Sequence, residues 1–176
     1  MPVLAQGKGG TKTTGLWVYV RDERPMAETA LPAVWFQYSP DRCGEHSQTH
    51  LKSFTGILQA YGYAGFDALY ASGRVSEAAC WAHAGRKYVE LHKDTGSPQA
   101  QEALRRIGEL YVIEKSIRGK PPDERCQVRQ EQTQPRLAAF RQWMDQTLAV
   151  TSVKSALARA ILYSLRRWAA LTGCRD

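Results

Sequence analysis

From Ser97 onward, apolar residues recur at steps of three and four, and this period constrains the fold more than any other feature of the chain. Ala100, Ala103, Leu104, Ile107, Leu110 and Tyr111 make one stripe, which Gly119 closes. "PPDER" opens the next helix with proline in its first turn, where a missing N–H does least harm. Pro135 should kink or split that helix before Leu137, Phe140, Trp143, Met144 and Leu148 resume the stripe. A last helix carries Leu157, Ile161, Leu165 and Trp168 and ends near Gly173. Residues 97–176 are therefore expected to form an antiparallel helical arm.

The chain before Ser97 has a different period. "GLWVYV" (15–20) alternates, and "AVWFQY" (33–38) is a nearly continuous β-branched and aromatic run. Both predict strands, joined across a polar, proline-marked loop. With a stub at Pro2-Val3-Leu4 and "GKGGTKTTG" as a turn, three adjacent antiparallel strands are expected. "SPDRCGEHSQTHLKSF" moves from turn chemistry into a short helix with Leu51 and Phe54 on one side. "GILQAYGYAGF" (56–66) reads as a strand running into a glycine-rich turn, and "FDALYASG" as a helical turn ending at Gly73. "EAACWAH" (77–83) reads as a further strand feeding a helix. The order β-β-β-α-β-α-β-α predicts an α/β domain, a mixed sheet flanked by helices over residues 1–96.

At 176 residues and 43% hydrophobic content, the chain can bury a core of ordinary size. No run approaches the roughly 18 apolar residues of a membrane span, and the start lacks the basic and apolar regions of a signal peptide. A cytoplasmic chain with no membrane partner is expected. Cys43, Cys80, Cys126 and Cys174 are scattered without a CxxC pair, so neither a disulfide framework nor a structural zinc site is favoured. A net charge of +7 favours an anionic partner, nucleic acid before membrane, but does not by itself establish one.

Three stretches carry residues with chemistry. Cys43, His46 and His50 are spaced C-x2-H-x3-H, yet no fourth ligand is near in sequence, so capping or surface roles outweigh zinc. "GKGGTKT" offers glycines that let backbone N–H groups approach an anion but lacks the Walker spacing; a hairpin is expected, with Lys8 and Lys12 able to touch DNA phosphates as nonspecific charges. "CWAHAGRKYVEL" combines Trp81, His83, Arg86, Lys87 and Tyr88. A buried tryptophan beside a solvated basic face competes there with phosphate contact by Arg86 and Lys87. At the end of the strand 56–59 stands Tyr61, where strand-end chemistry would call for a charged or nucleophilic group.

Several of these stretches converge on one family. "GKGGTKTTGLWVYVRDERP", "QYSPDRCGEH", "LQAYGYAGFDALY", "EAACWAHAGRKYVELH" and "EALRRIGELYVIEKSIRGKPPDER" resemble, in order, the central domain of the insertion-sequence-66 transposases. The resemblance runs through essentially all of the chain. It implies a ribonuclease-H-like core, its first strand truncated, with an appended antiparallel helical insertion. It also implies cutting and joining of DNA ends by an Asp-Asp-Glu triad with divalent metal. Two magnesium ions held by carboxylates would activate the attacking oxygen and stabilise the leaving one.

The resemblance places the first Asp upstream of Met1, the second at Tyr61 and the Glu beyond Asp176. The expectation is a transposase segment truncated at both ends, with no intact catalytic residue and no metal or other cofactor of its own. A phenol with a pKa of about 10 is a poor magnesium ligand at neutral pH. Asp67, Asp22 or Glu77 would need fortunate placement to substitute. Gly85 stands where the resemblance leads to arginine. Weak, sequence-independent DNA binding by Lys8, Lys12, Arg86 and Lys87 is expected. The alternative is a non-enzymatic interaction protein whose helical arm, through Leu137, Phe140 and Trp143, pairs with an intact transposase.

Overall fold

The β-rich start of the chain forms two separate antiparallel hairpins. In the computed structural model, which describes residues 2–4, 11–22, 31–60 and 62–173, β1 (Pro2–Leu4) pairs with β2 (Thr11–Thr13), Val3 opposite Lys12. After the buried Thr14, β3 (Gly15–Arg21) pairs with β4 (Ala33–Ser39) in a register that sets Val18 opposite Phe36 and Tyr19 opposite Trp35. Among the described residues these are two two-stranded sheets, not one three-stranded sheet. The expected turn at "GKGGTKTTG" contains a strand, because Thr11–Thr13 finds a partner in Pro2–Leu4 that local propensity could not reveal.

The contacts divide the chain into a strand unit (Met1–Leu58 with Gly62–Ser76) and a helical unit (Gln59–Tyr61 with Glu77–Asp176). In the strand unit, α1 (Gly44–His50) opens after Asp41, whose Oδ1 accepts the Cys43 N–H at 2.9 Å. A 3₁₀ turn (Ala64–Phe66) leads into α2 (Asp67–Ala71), which closes at Gly73, φ 72°. α1 and the 3₁₀ turn meet at two glycines. A Cβ on Gly44 would lie 2.7 Å from Gly65 Cα, so the backbones can approach only without side chains. The buried Ser47 hydroxyl lies 2.7 Å from the Gly44 carbonyl oxygen and 3.1 Å from that of Gly65, its one proton shared between them.

β5 (Gly56–Gln59) pairs with β6 (Val75–Ala78). The Gly56 N–H donates to the Arg74 carbonyl and the Ala60 N–H to that of Ala78, a four-residue step in the same direction on both strands, which is parallel pairing. The expected strand at 77–83 thus lies earlier. Cys80 is the extended residue before a helix, and Trp81 already belongs to that helix. Buried Val75 and Ala78 carry the strand instead.

The helical unit begins with α3 (Trp81–Thr95) and α4 (Pro98–Ile117), joined through Gly96 at φ 66° and the Ser97 cap, whose Oγ accepts the Ala100 N–H at 3.2 Å. α4 buries Ala100, Ala103, Ile107, Leu110, Ile113 and Ile117, while Tyr111 lies at the exposed edge of the stripe. Gly119, φ 75°, turns the chain as expected. α5 (Pro122–Val128) passes through a π-helical turn (Arg129–Thr133) into α6 (Gln134–Ala149). The helix is therefore not split at Pro135. The π turn carries the register shift that its missing N–H imposes, and the Arg136 guanidinium donates to the Gln132 carbonyl at 2.8 Å. Arg129 holds Glu114 of α4 through two hydrogen bonds, at 2.9 and 2.7 Å. The last helix comes as two, α7 (Ala156–Arg166) and α8 (Trp168–Thr172). Tyr88, Leu91, Ile107, Phe140, Met144 and Ile161 are the centre of the core, with Trp81, Trp143 and Trp168 packed around it. Burial of each large apolar side chain contributes about 1.5–3 kcal/mol.

Candidate nucleic-acid interface

Arg86 and Lys87 occupy adjacent exposed positions of α3, on the turn whose other side puts Tyr88 into the core. The Tyr88 hydroxyl is 3.1 Å from Ser164 Oγ, and Ser164 gives its own proton to the Ala160 carbonyl, so Tyr88 is the donor of the pair. Burial pushes the Tyr88 phenol up to about 12. Trp81 is half-buried, stacked on Phe140 with centroids 5.6 Å apart and edge-on to Trp168. The "CWAHAGRKYVEL" stretch thus has its tryptophan packed beside a solvated basic face: Trp81 and Tyr88 build the core, and Arg86 and Lys87 are exposed.

Lys87 Nζ stands 4.5 Å from the centroid of the Tyr163 ring, and the Arg167 guanidinium carbon is 5.8 Å from the same ring. Arg167 also pairs with Glu77 at 2.7 Å. Arg86 borders a shallow groove of about 380 Å³ lined by Trp81, Val89, Leu104 and Tyr111. Tyr163 and Arg167 carried no sequence signal, since their role depends on α7 lying against α3. Lys12 is exposed in β2 of the strand unit. Lys8 lies outside the described residues, as does Tyr61.

The acids weighed as metal ligands are placed separately. Asp67 is exposed in the first turn of α2, Asp22 is exposed after β3, and Glu77 is engaged by Arg167. Among the described residues, no three His, Cys, Asp or Glu side chains stand close enough to share a metal ion. These residues do not fit a two-magnesium centre, which needs converging carboxylates free of competing cations.

The C-x2-H-x3-H stretch has another organisation. Asp41 accepts hydrogen bonds from the Cys43 N–H and from His46 Nε2, the latter at 2.7 Å, and these hold its carboxyl down at about 2. An ionised Asp41 can only accept, so His46 Nε2 carries the proton. The same carboxylate pushes the Cys43 thiol up. His50 points elsewhere, sharing a 3.0 Å hydrogen bond with the Tyr19 hydroxyl; burial, then the neighbouring His46, depresses its pKa. Around it Trp17, Tyr19 and Trp35 pack edge to face within about 6 Å. Trp17 Nε1 donates to Ser39 Oγ at 2.8 Å, and the Tyr63 hydroxyl donates to the Arg42 carbonyl. The spacing that suggested ligands thus serves to anchor α1 and to pack the sheet. Asp41 was the residue that sequence reasoning passed over; its place just before a helix start was the available signal.

Comparison with known proteins gives a single family. Residues 1–176 match the family described as Transposase IS66 family. Uncharacterized protein y4hP of Sinorhizobium fredii (strain NBRC 101917 / NGR234) is 38% identical over 185 residues, covering 96% of this chain and 33% of the relative. Uncharacterized protein y4jD of the same strain is 35% identical over 182 residues, covering 100% of this chain and 36% of the relative. The chain spans about a third of the length of these relatives. No solved structure matches. With the resemblance carried by the quoted stretches and the family match along its whole length, this chain belongs to the IS66 transposase family.

Proposed function

We propose that the chain is a segment of a DDE-type DNA transposase that touches DNA through sequence-independent phosphate contacts and does not itself carry out strand transfer. In this reading residues 1–96 correspond to part of a ribonuclease-H-like core and residues 97–176 to a helical insertion and its return. The DNA-binding part rests on one observation above the others: Arg86 and Lys87 are exposed side by side, on a turn held rigid by the buried Tyr88. Lys12 adds charge from β2, and Lys8 is included on the sequence alone. The inactive part rests on Tyr61 standing where the resemblance puts a metal-binding Asp, and on the absence of converging acids among the described residues.

Anisotropy of a labelled duplex, titrated with the chain between about 50 and 200 mM salt, tests the binding. The logarithm of affinity should fall linearly with the logarithm of salt, by about 0.9 for each phosphate contacted. Arg86→Ala with Lys87→Ala should flatten that slope by about 2. Binding indifferent to salt would sink the phosphate reading. Magnesium-dependent strand transfer by the chain, lost in Asp67→Ala, would overturn the inactive reading.

A second reading makes the chain an interaction protein that pairs with a longer family member. Leu137 and Phe140 of α6 are buried inside their own unit and do not supply the contact face, and Trp143 beside them is half-buried under the Arg106 guanidinium. The observation that favours this reading is instead the exposed apolar face of the β3–β4 sheet, where Val18 stands opposite Phe36.

A further inference from the structure

The helices α3 and α4 form a hairpin, and the groove of about 380 Å³ beside Arg86 runs along it. Its floor is made by Gly85 and Ile107, both buried. A Cβ on Gly85 would meet only Ile107 Cδ1, at 3.7 Å, so the missing side chain leaves the space open. Trp81 and Tyr111 wall the end away from the Gly96 turn, and Val89 and Leu104 the end nearer to it. Trp81 has one face stacked on Phe140, whereas Tyr111 is 48% exposed and offers its ring to whatever enters. Arg86 is the charged residue of the lining, and Lys87 follows it on the exposed side of α3.

We infer that this groove takes the base of an unpaired nucleotide while Arg86 holds the adjoining phosphate. The inference rests on the phosphate reading above and narrows it from DNA of any form to single-stranded DNA. Two observations choose this occupant. First, a lining with two aromatic rings, an aliphatic floor and no acid suits a flat, uncharged ring, and every base has a π-face that stacks without regard to sequence. Second, the groove and the phosphate contacts are one continuous surface, because Arg86 belongs to both. What adjoins a phosphate on a DNA strand is a sugar and its base. In a duplex that base is paired and stacked, so only the backbone can reach Arg86 and Lys87. A single strand can turn a base onto Tyr111 at little cost. The two forms of DNA thus share the cations and differ in the groove.

Fluorescence anisotropy compares three labelled probes of equal length: an oligothymidylate, an abasic strand with the same phosphates but no bases, and a duplex. At one salt concentration the chain should bind the oligothymidylate roughly fivefold or more tighter than the abasic strand, the lower end of what stacking one base contributes. Tyr111→Ala should remove that difference, and Tyr111→Phe, which keeps the ring, should preserve it. Tyr111 lies at the exposed edge of its stripe, so both variants should keep the circular dichroism of the unaltered chain, which separates lost stacking from lost folding. Arg86→Ala with Lys87→Ala should weaken all three probes. Equal binding of the oligothymidylate and the abasic strand, or a preference that Tyr111→Ala leaves intact, overturns the inference. If duplex binding still falls with salt in that case, the groove assignment alone has failed. Absence of salt-dependent binding to any probe is failure of the phosphate reading, and the inference falls with it.

Discussion

The helical unit buries Tyr88, Phe140, Met144 and Ile161 almost completely, whereas the strand unit leaves Leu16, Val18, Val20, Phe36 and Tyr38 in solvent. Composition does not separate the two regions; the way each element satisfies its backbone does. A helix pairs its N–H and C=O groups within itself and has only a stripe to cover, and α3, α4, α6 and α7 supply one another's partners from nearby sequence. A two-stranded sheet has two faces and two edges. α1 and the 3₁₀ turn are short, and they cover one face.

The sharpest way to break this contrast is to shorten one phenylalanine in each unit. Phe140→Ala should cost about 3–5 kcal/mol, because the ring stacks on Trp81 inside a closed core and leaves a cavity. Phe36→Ala in the isolated chain should stay within about 0.5 kcal/mol, as exposed substitutions do. Urea unfolding followed by circular dichroism measures both. Equal costs would show that the β4 face is covered in the isolated chain.

A second substitution asks whether the strand unit is tightly packed anywhere. Gly44→Ala drives a methyl group to 2.7 Å from Gly65 Cα, backbone against backbone with no flexible group to yield. Overpacking of this kind should cost about 1–3 kcal/mol. The loss should be local, read as faster hydrogen exchange at the Leu51 and Phe54 amides, which bond to Ser47 and Leu51. Unchanged exchange would mean that α1 is held only by its aromatic neighbours.

How much of this was legible beforehand follows the same division. The stripe of α4, its stop at Gly119 and the strands at 15–20 and 33–38 were readable, because each is a local pattern with a fixed period. Thr11–Thr13 was not, since three polar residues become a strand only beside Pro2–Leu4. The strand placed at 77–83 lies at Val75–Ala78 because "EAACWAH" is apolar enough for either element, and the helix claimed Trp81 to stack it on Phe140, 59 positions away in sequence. At the site, Arg86 and Lys87 were legible as an exposed basic pair. The Tyr163 ring beneath Lys87 and the Arg167–Glu77 ion pair were not, because both depend on how α7 and α8 return.

A smaller effect of opposite sign is expected in the helical unit at Gly85. It is buried on α3, yet a Cβ there would meet only Ile107 Cδ1, at 3.7 Å, an ordinary contact. Gly85→Ala should therefore stabilise the unit by about 0.5–1 kcal/mol, through the glycine's loss of conformational freedom alone. A higher midpoint in urea with an unchanged slope would confirm it. Destabilisation would mean that α3 and α4 pack more closely than Ile107 suggests. Arginine at this position is another matter, since its long side chain must leave a buried site toward the groove beside Arg86.

The smallest effect is an acid response confined to the strand unit. Asp41 is held at about 2, first by the Cys43 backbone N–H and then by the Cys43 and His46 side chains, against an ordinary value of 3.8. Because the folded value lies below the unfolded one, its contribution to stability is full above about pH 4 and is lost as pH falls toward 2. With the carboxyl open to solvent the size is small, and it should appear as loosening of the α1 start, not as global unfolding. The Cys43 and His46 amides, followed by hydrogen exchange from pH 5 to 2, should lose protection in that window. Asp41→Asn removes the titration while an amide oxygen still accepts the Cys43 N–H, so the same amides should exchange at a rate free of any step. An unaltered step in that variant would move its origin to another acid. In the helical unit the nearest parallel is Glu102, held at about 2 by Arg105 first and then Arg106, near the start of α4. There the tertiary core lies against the other side of the helix, so protonation should leave the protection of Ile107 and Leu110 intact.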